Sequence, residues 1–144
     1  MIAHRITLPA IPGSPPSLNA LGARGGGPAF HRKKRQWQGL IGQAILASEL
    51  PVLLAGGRQA RSIEATAEIL FKFNRRRDEG NFRAMLEKCL GDALVDDPKA
   101  WPGGRWLADD DADRFRFGRL ELVVVPELPG LAKAETRIAL EVAL

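Results

Sequence analysis

Residues 62–95 read SIEATAEILFKFNRRRDEGNFRAMLEKCLGDALV, and this stretch decides the fold. Its first part alternates between apolar and polar side chains, which predicts a half-buried strand over residues 62–73, with Ile63, Ala65, Ala67, Ile69, Phe71 and Phe73 on one face. From Phe82 to Leu94 the apolar residues recur at helical spacing, which predicts a helix over residues 81–95. The charged segment Arg75–Asn81 lies between these two elements.

Weaker patterns on either side predict the remaining elements. Trp37, Leu40, Ile41, Ala44 and Ile45 recur at helical spacing and predict a second helix over residues 32–48. Strands are predicted over residues 5–8, 114–125 and 136–142, with a bulge at Gly118 and a long surface loop over residues 10–30. No regular alternation of strand and helix is present, so we expect an α+β fold, with a mixed β-sheet packed by the two helices in a single domain over residues 1–144.

The composition limits the kinds of site that this chain can build. Cys89 is the one cysteine, so neither an intramolecular disulfide nor a zinc site with several thiolate ligands is expected. A metal would be held by carboxylates, which favour a hard ion such as Mg²⁺ or Mn²⁺. No signal peptide is recognisable, and no apolar stretch approaches the ~20 residues that span a bilayer, so we expect a cytoplasmic protein without a membrane partner.

The charges are divided unevenly along the chain. Residues 1–77 contain twelve Lys or Arg and three Asp or Glu, whereas residues 78–144 contain nine and fourteen. A basic half suggests a polyanionic partner, although the charges could simply lie on solvated faces. The basic run Arg32–Arg35 stands where a helix dipole disfavours cations, which contact with phosphates would explain. The alternative is a helix that begins later, near Gln36.

Three features carry residues suited to phosphodiester chemistry. Asp78 and Glu79, at the strand-to-helix junction, could hold a metal or cap the helix. Asn81, Lys88 and Asp92 share one edge of the predicted helix, where Lys88 and Asp92 could instead form an i,i+4 ion pair. Asp109–Asp111 could bind a cation or form a solvated turn. Together they suggest carboxylates that hold Mg²⁺ to activate water, with a lysine that stabilises the developing charge.

Four short motifs, in the same order along the chain, resemble the RusA family of Holliday junction resolvases. They are Pro15-Pro16-Ser17-x-Asn19, Arg76-Arg77-Asp78-x-x-Asn81, Lys88-x-x-x-Asp92-Ala93-Leu94 and Trp106-Leu107-x-Asp109-Asp110. The resemblance implies a RusA-like fold and a homodimer that resolves Holliday junctions and branched DNA by paired symmetric nicks, with Mg²⁺ or Mn²⁺. By position, Asp78 and Asp110 would bind the metal, Lys88 would be the catalytic lysine, and Arg77 would contact DNA.

Two departures from the family pattern leave the ligand set open. Gly80 stands where the family has a second aspartate, and the Asn81-to-Lys88 spacing is four residues longer. Glu79, Asp92 or Asp109 could complete the metal shell. The residues expected to contact DNA are Arg32, Lys33, Lys34, Arg35, Arg75, Arg76, Arg77 and Asn81.

Two other functions remain as alternatives to the nuclease. One is a structure-specific DNA-junction-binding protein without catalysis, which Gly80 would favour. The other is a structural protein that does not bind DNA, which would leave Arg75–Arg77 beside Asp78 unexplained.

Overall fold

The computed structural model describes residues 3–16, 28–74, 77, 79–95, 104–128 and 133–144. Three helices, five strands and a 3-10 turn at Ala55–Gly57 make up this part of the chain. The strands are β1 Ala3–Thr7, β2 Ile11–Pro12, β3 Ser62–Phe71, β4 Phe115–Val124 and β5 Ala134–Ala143; the helices are α1 Pro28–Leu46, α2 Leu50–Leu53 and α3 Glu79–Leu94. Residues 17–27 of the predicted loop lie outside the described residues.

The five strands form one mixed sheet. Its order is β1-β5-β3-β4, and β2 pairs with β5. β3 and β4 are parallel, whereas β5 is antiparallel to β1, β2 and β3. The predicted α+β class with a mixed sheet is therefore confirmed. Because β4 is parallel to β3, the chain must return along the sheet between them, and α3 lies on that return path.

One face of the sheet forms the core with α1 and α3. On β3 the buried side chains of this face are Ile63, Ala65, Ala67, Ile69 and Phe71, as the alternation predicts. Phe73 was expected on the same face but is 54% exposed, because β3 ends at Phe71. The pairing of β3 with β4 ends at Phe71 and Val124, so Phe73 continues the sequence alternation but has no paired strand beside it.

A bulge interrupts β4 where Gly118 predicted it. Ala65 pairs with Phe117 and Ala67 pairs with Leu120, so two residues of β4 lie opposite Thr66. The Arg83 side chain, which extends from α3, donates a hydrogen bond of 2.7 Å to the Phe117 carbonyl oxygen next to the bulge. This hydrogen bond connects the bulged part of β4 to the first turns of α3.

The helices begin and end close to the predicted bounds, with two exceptions. α1 begins at Pro28, which is a favoured residue at the start of a helix, so the alternative start near Gln36 is wrong. In the sequence, Pro51, Gly56 and Gly57 are typical of a loop, yet Pro51 lies in the first turn of α2, where no intrahelical N–H bond is lost. In the described part of the chain, no helix combines the length and apolar character that a membrane span requires.

Candidate functional site

Lys88 and Asp92 form the ion pair that their spacing on α3 permits. Lys88 Nζ lies 3.2 Å from Asp92 Oδ1, and the Asp92 side chain is only 15% exposed. The other carboxylate oxygen, Oδ2, accepts a hydrogen bond of 2.7 Å from Gln38 Nε2 on α1. Both oxygens of Asp92 therefore have protein partners. This arrangement favours a bridging role for Asp92 over the predicted role of metal ligand.

The segment that precedes Asp110 is bonded to the last turn of α3. Gly104 N donates to the Val95 carbonyl at 2.8 Å, and Leu107 N donates to the Leu94 carbonyl at 3.0 Å. These bonds satisfy carbonyl groups that a helix end leaves without intrahelical partners. They also hold the start of this segment against α3, so that Asp109–Asp111, which come next in the chain, lie near the end of the helix.

Asp110 lies directly against α3 at Gly91. A Cβ atom on Gly91 would be 3.1 Å from Asp110 Oδ2, so the missing side chain of Gly91 makes room for this carboxylate. Among the described residues, none donates a hydrogen bond to the Asp110 carboxylate or forms an ion pair with it. The third and fourth sequence motifs therefore meet in space. The exposed Asp110 carboxylate contacts Gly91, the residue that precedes Asp92 on α3.

The Gly91→Ala variant tests whether this contact sets the position of Asp110. The new methyl group would push the Asp110 carboxylate by a few tenths of an ångström, because the neighbour at 3.1 Å is the end of an exposed side chain. Alanine in a helix interior is ~1 kcal/mol more favourable than glycine. If Asp110 binds a metal for DNA cleavage, as the resemblance implies, cutting should fall severalfold while the free energy of unfolding stays equal or rises. Chemical denaturation and a cleavage assay on the same samples measure both quantities, and a parallel loss of both would contradict the assignment.

The two aspartates beside Asp110 have local roles. Asp109 Oδ1 accepts a hydrogen bond of 2.8 Å from the Asp110 backbone N–H. Asp111 Oδ1 accepts from the backbone N–H groups of Asp113 and Arg114, both at 3.1 Å, and Asp111 also forms an ion pair with the Arg114 side chain. For Asp111 the solvated-turn alternative therefore holds. Asp110 is the member of the triplet for which both carboxylate oxygens lack a hydrogen-bond or ion-pair partner among the described residues.

Glu79, another of the predicted carboxylates, lies at the opposite end of α3. Asp78, Arg75 and Arg76 lie outside the described residues. Glu79 begins α3 with a side chain that is 53% exposed, and its nearest cation is Arg83 NH1 at 3.9 Å. Arg77 places its guanidinium carbon 3.6 Å from the centroid of the Phe71 ring, at the end of β3. Two of the predicted residues, Arg77 and Glu79, are thus close to the junction of β3 and α3.

The length of α3 separates these two groups of carboxylates. Gly91, which contacts Asp110, is twelve residues after Glu79 on this helix, a separation of ~18 Å along the axis at 1.5 Å per residue. A glutamate side chain extends roughly 5 Å from its α-carbon, and two oxygens on one Mg²⁺ lie within ~4.2 Å of each other. Glu79 and Asp110 of one protomer therefore do not share an ion. Within the described ranges, no three Asp, Glu, His or Cys residues form a group that could hold a metal.

The basic run Arg32–Arg35 occupies the second turn of α1, close to Lys88. Arg32, Lys33 and Arg35 are exposed, and the Lys34 carbonyl oxygen lies 3.8 Å from Cys89 Sγ on α3. Burial raises the pKa of the Cys89 thiol to about 12, and the nearby ammonium group of Lys34 opposes this shift more than that of Lys88 does. The contact between Lys34 and Cys89 places the basic run beside the part of α3 that carries Lys88.

Two residues of this region were not singled out from the sequence, although each left a signal. Gln38 is buried at helical spacing with Ile41 and Ile45, where an apolar residue is the usual choice. Gly91 interrupts an otherwise strong helical pattern, and such a glycine often marks a close approach of another group. Both signals indicate a constraint at the position but do not identify the partner.

Comparison with known proteins adds no family assignment. The sequence matches no protein-family model, and none of the curated proteins matches it significantly. The resemblance to RusA resolvases therefore rests on the four motifs.

Proposed function

We propose that this chain is a Mg²⁺- or Mn²⁺-dependent endonuclease that cuts branched DNA as a homodimer, in the manner that its resemblance to RusA resolvases implies. The observation that carries the proposal is the position of Asp110 against Gly91, beside the Lys88–Asp92 pair. Two motifs that are separate in the sequence supply an exposed carboxylate and an exposed lysine to one surface. A carboxylate and a lysine at one place are what metal-assisted phosphodiester hydrolysis needs.

Asp110 would be the ligand that this end of α3 offers to a hard, oxygen-liganded metal ion. Asp110 has a carboxylate without a protein partner among the described residues, and Asp109 precedes it in the same turn. A bound divalent cation would supply a nucleophilic water near neutral pH. Lys88 is 57% exposed and pairs with Asp92, which leaves N–H donors of its ammonium group for a phosphate oxygen. Lys88 would stabilise the charge that develops on the reacting phosphate.

The remaining metal ligands would come from a second protomer, because α3 holds Glu79 too far from Asp110 of the same chain. In a twofold dimer whose α3 helices run antiparallel, the start of one helix would lie beside the end of the other. Asp78 and Glu79 of the partner subunit would then complete the shell around Asp110. Such a dimer contains two equivalent sites, as two symmetric nicks require.

The DNA would lie on the basic run of α1 and on Arg75–Arg77 at the start of α3, with Asn81 next to it. Arg32, Lys33 and Arg35 are exposed on the second turn of α1, and a shallow groove of about 570 Å³ lies along this helix. Such residues would track the phosphate backbone without reading the sequence.

The Arg32→Ala/Lys33→Ala double variant tests these phosphate contacts. We expect weaker binding to every junction sequence, and a slope of log affinity against log salt that is smaller by about 1–2, because each lost phosphate contact removes ~0.9 from the slope. Arg116→Ala is the matched control, because Arg116 is exposed and pairs with Glu64 on the opposite sheet face. An unchanged slope in the double variant, or an equal change in the control, would contradict the assignment.

A labelled four-way junction incubated with the protein, in Mg²⁺ or in EDTA, tests the proposed activity. We expect symmetric nicks that require the metal. A retarded complex that is never cut, in Mg²⁺ or Mn²⁺, would instead support the junction-binding protein that Gly80 suggests. Absence of any complex at low salt would contradict both functions.

A further inference from the structure

We infer that Gln38 is a positioning residue that orients Lys88 through Asp92; this inference rests on the proposed nuclease function. Gln38 Nε2 donates to Asp92 Oδ2 at 2.7 Å, and Asp92 Oδ1 lies 3.2 Å from Lys88 Nζ. Gln38 is only 5% exposed. Among the described residues, Thr136 is the only other polar residue that is buried. A hydrogen bond and an ion pair thus connect the buried face of α1 to the exposed ammonium group of Lys88 on α3.

The surroundings of Gln38 make it a rigid donor. Trp37, Ile41 and Ile45 on the same helix are buried in the core, and α1 packs against α3. A side chain held this way has few alternative rotamers, so its amide defines the orientation of the Asp92 carboxylate. That orientation directs Oδ1 toward Lys88.

Without this anchor, little would hold Lys88 in place. An exposed i,i+4 ion pair on a helix contributes only ~0.2–0.5 kcal/mol, and a lysine side chain has several freely rotating bonds. Asp92 becomes a better partner because one of its oxygens is already fixed in a charge-assisted hydrogen bond. Gln38 therefore gives the ammonium group a defined position that the ion pair alone would not supply.

Gln38→Leu removes the amide while keeping a side chain of similar size. We expect the single-turnover cutting rate to fall about tenfold, as the loss of a supporting hydrogen bond at a functional site does. Junction affinity should stay within about twofold, because the exposed arginines and lysines that bind phosphate are unchanged. Gln59→Leu, at an exposed glutamine that lies before β3, is the matched control and should leave the rate unchanged.

A double-mutant cycle with Asp92→Asn separates positioning from general stability. If Gln38 acts through the Asp92–Lys88 pair, Gln38→Leu should slow the Asp92→Asn protein no further. Additive losses in the cycle, or a slower rate explained by a smaller folded fraction in denaturant titration, would overturn the inference.

A measurement without DNA keeps this inference distinguishable from the proposed function. Brief acylation with an amine-reactive reagent, quantified by mass spectrometry, reports how available each lysine amine is, and an amine released from its ion pair reacts faster. Lys88 should react severalfold faster in Gln38→Leu than in the wild-type protein or in Gln59→Leu. An unchanged Lys88 rate would overturn the inference even if the wild-type protein cuts junctions. An increased rate in a protein that cuts nothing would support the positioning role and contradict the nuclease.

Discussion

Asp110→Asn is expected to lower Mg²⁺-dependent cutting by at least about a hundredfold while junction binding is retained. The Asp110 carboxylate is exposed, lies against α3 at Gly91, and has no hydrogen-bond or ion-pair partner among the described residues. The amide of asparagine keeps the shape of the side chain but removes the charge that a hard cation needs. Losing one interaction made with the reacting charge costs about 10²–10³ in rate.

The controls for this variant lie on the same turn. Asp113 is exposed and close in sequence, so Asp113→Asn should cut normally. Asp111→Ala should instead lower stability, because it removes the oxygen that accepts the backbone N–H groups of Asp113 and Arg114. A cleavage time course and a gel-shift titration on each variant provide the comparison. Full cutting by Asp110→Asn would remove this residue from the site.

Gly104→Ala is expected to destabilise the protein by about 2–3 kcal/mol, since overpacking a well-packed region costs this much. A Cβ atom at position 104 would be 2.3 Å from the Ala93 carbonyl oxygen and 3.1 Å from the Leu94 carbonyl carbon, both of which belong to the helix backbone. Neither atom can rotate away, so the segment must move. The hydrogen bond from Gly104 N to Val95 would be strained at the same time.

Gly91→Ala is the natural comparison for Gly104→Ala. Both variants add one methyl group near the end of α3, but at Gly91 the new atom meets a flexible side chain, whereas at Gly104 it meets backbone. Urea denaturation should therefore show a large loss of unfolding free energy at position 104 and none at position 91. Equal stabilities of the two variants would contradict the close packing of the Gly104 segment against α3.

The main elements follow from local sequence patterns, whereas their ends depend on partners elsewhere in the chain. The alternation over residues 62–73 predicted β3, but the strand stops at Phe71, where its pairing with β4 stops. The start of α1 was predicted too late because the basic run was taken as its first turn; Pro28 begins the helix instead, and the cations lie in the second turn. Pro51, Gly56 and Gly57 indicate a loop in the sequence, but Pro51 lies in α2 because the first turn of a helix tolerates proline.

The candidate site was predictable where it depends on helix periodicity. The spacing of Lys88 and Asp92 offered an ion pair as the alternative to a metal-binding role for Asp92, and the structure contains that ion pair. Gln38 lies 54 residues from Asp92 in the chain, so the spacing of residues within one helix carries no information about that bond. The distance between the start of α3 and Asp110 depends on where the segment after α3 docks, which only the folded chain reveals.

A dimer made of two differently defective chains tests most directly whether carboxylates from both protomers share one cation. Asp78→Asn and Asp110→Asn chains, carrying different affinity tags and produced together, can be purified as the mixed dimer. If each site takes Asp110 from one protomer and Asp78 from the other, one of its two sites contains both native aspartates. We predict nicking of single strands at about half of the wild-type rate, since one site of two remains. A mixed dimer as inactive as either parent would contradict the shared site.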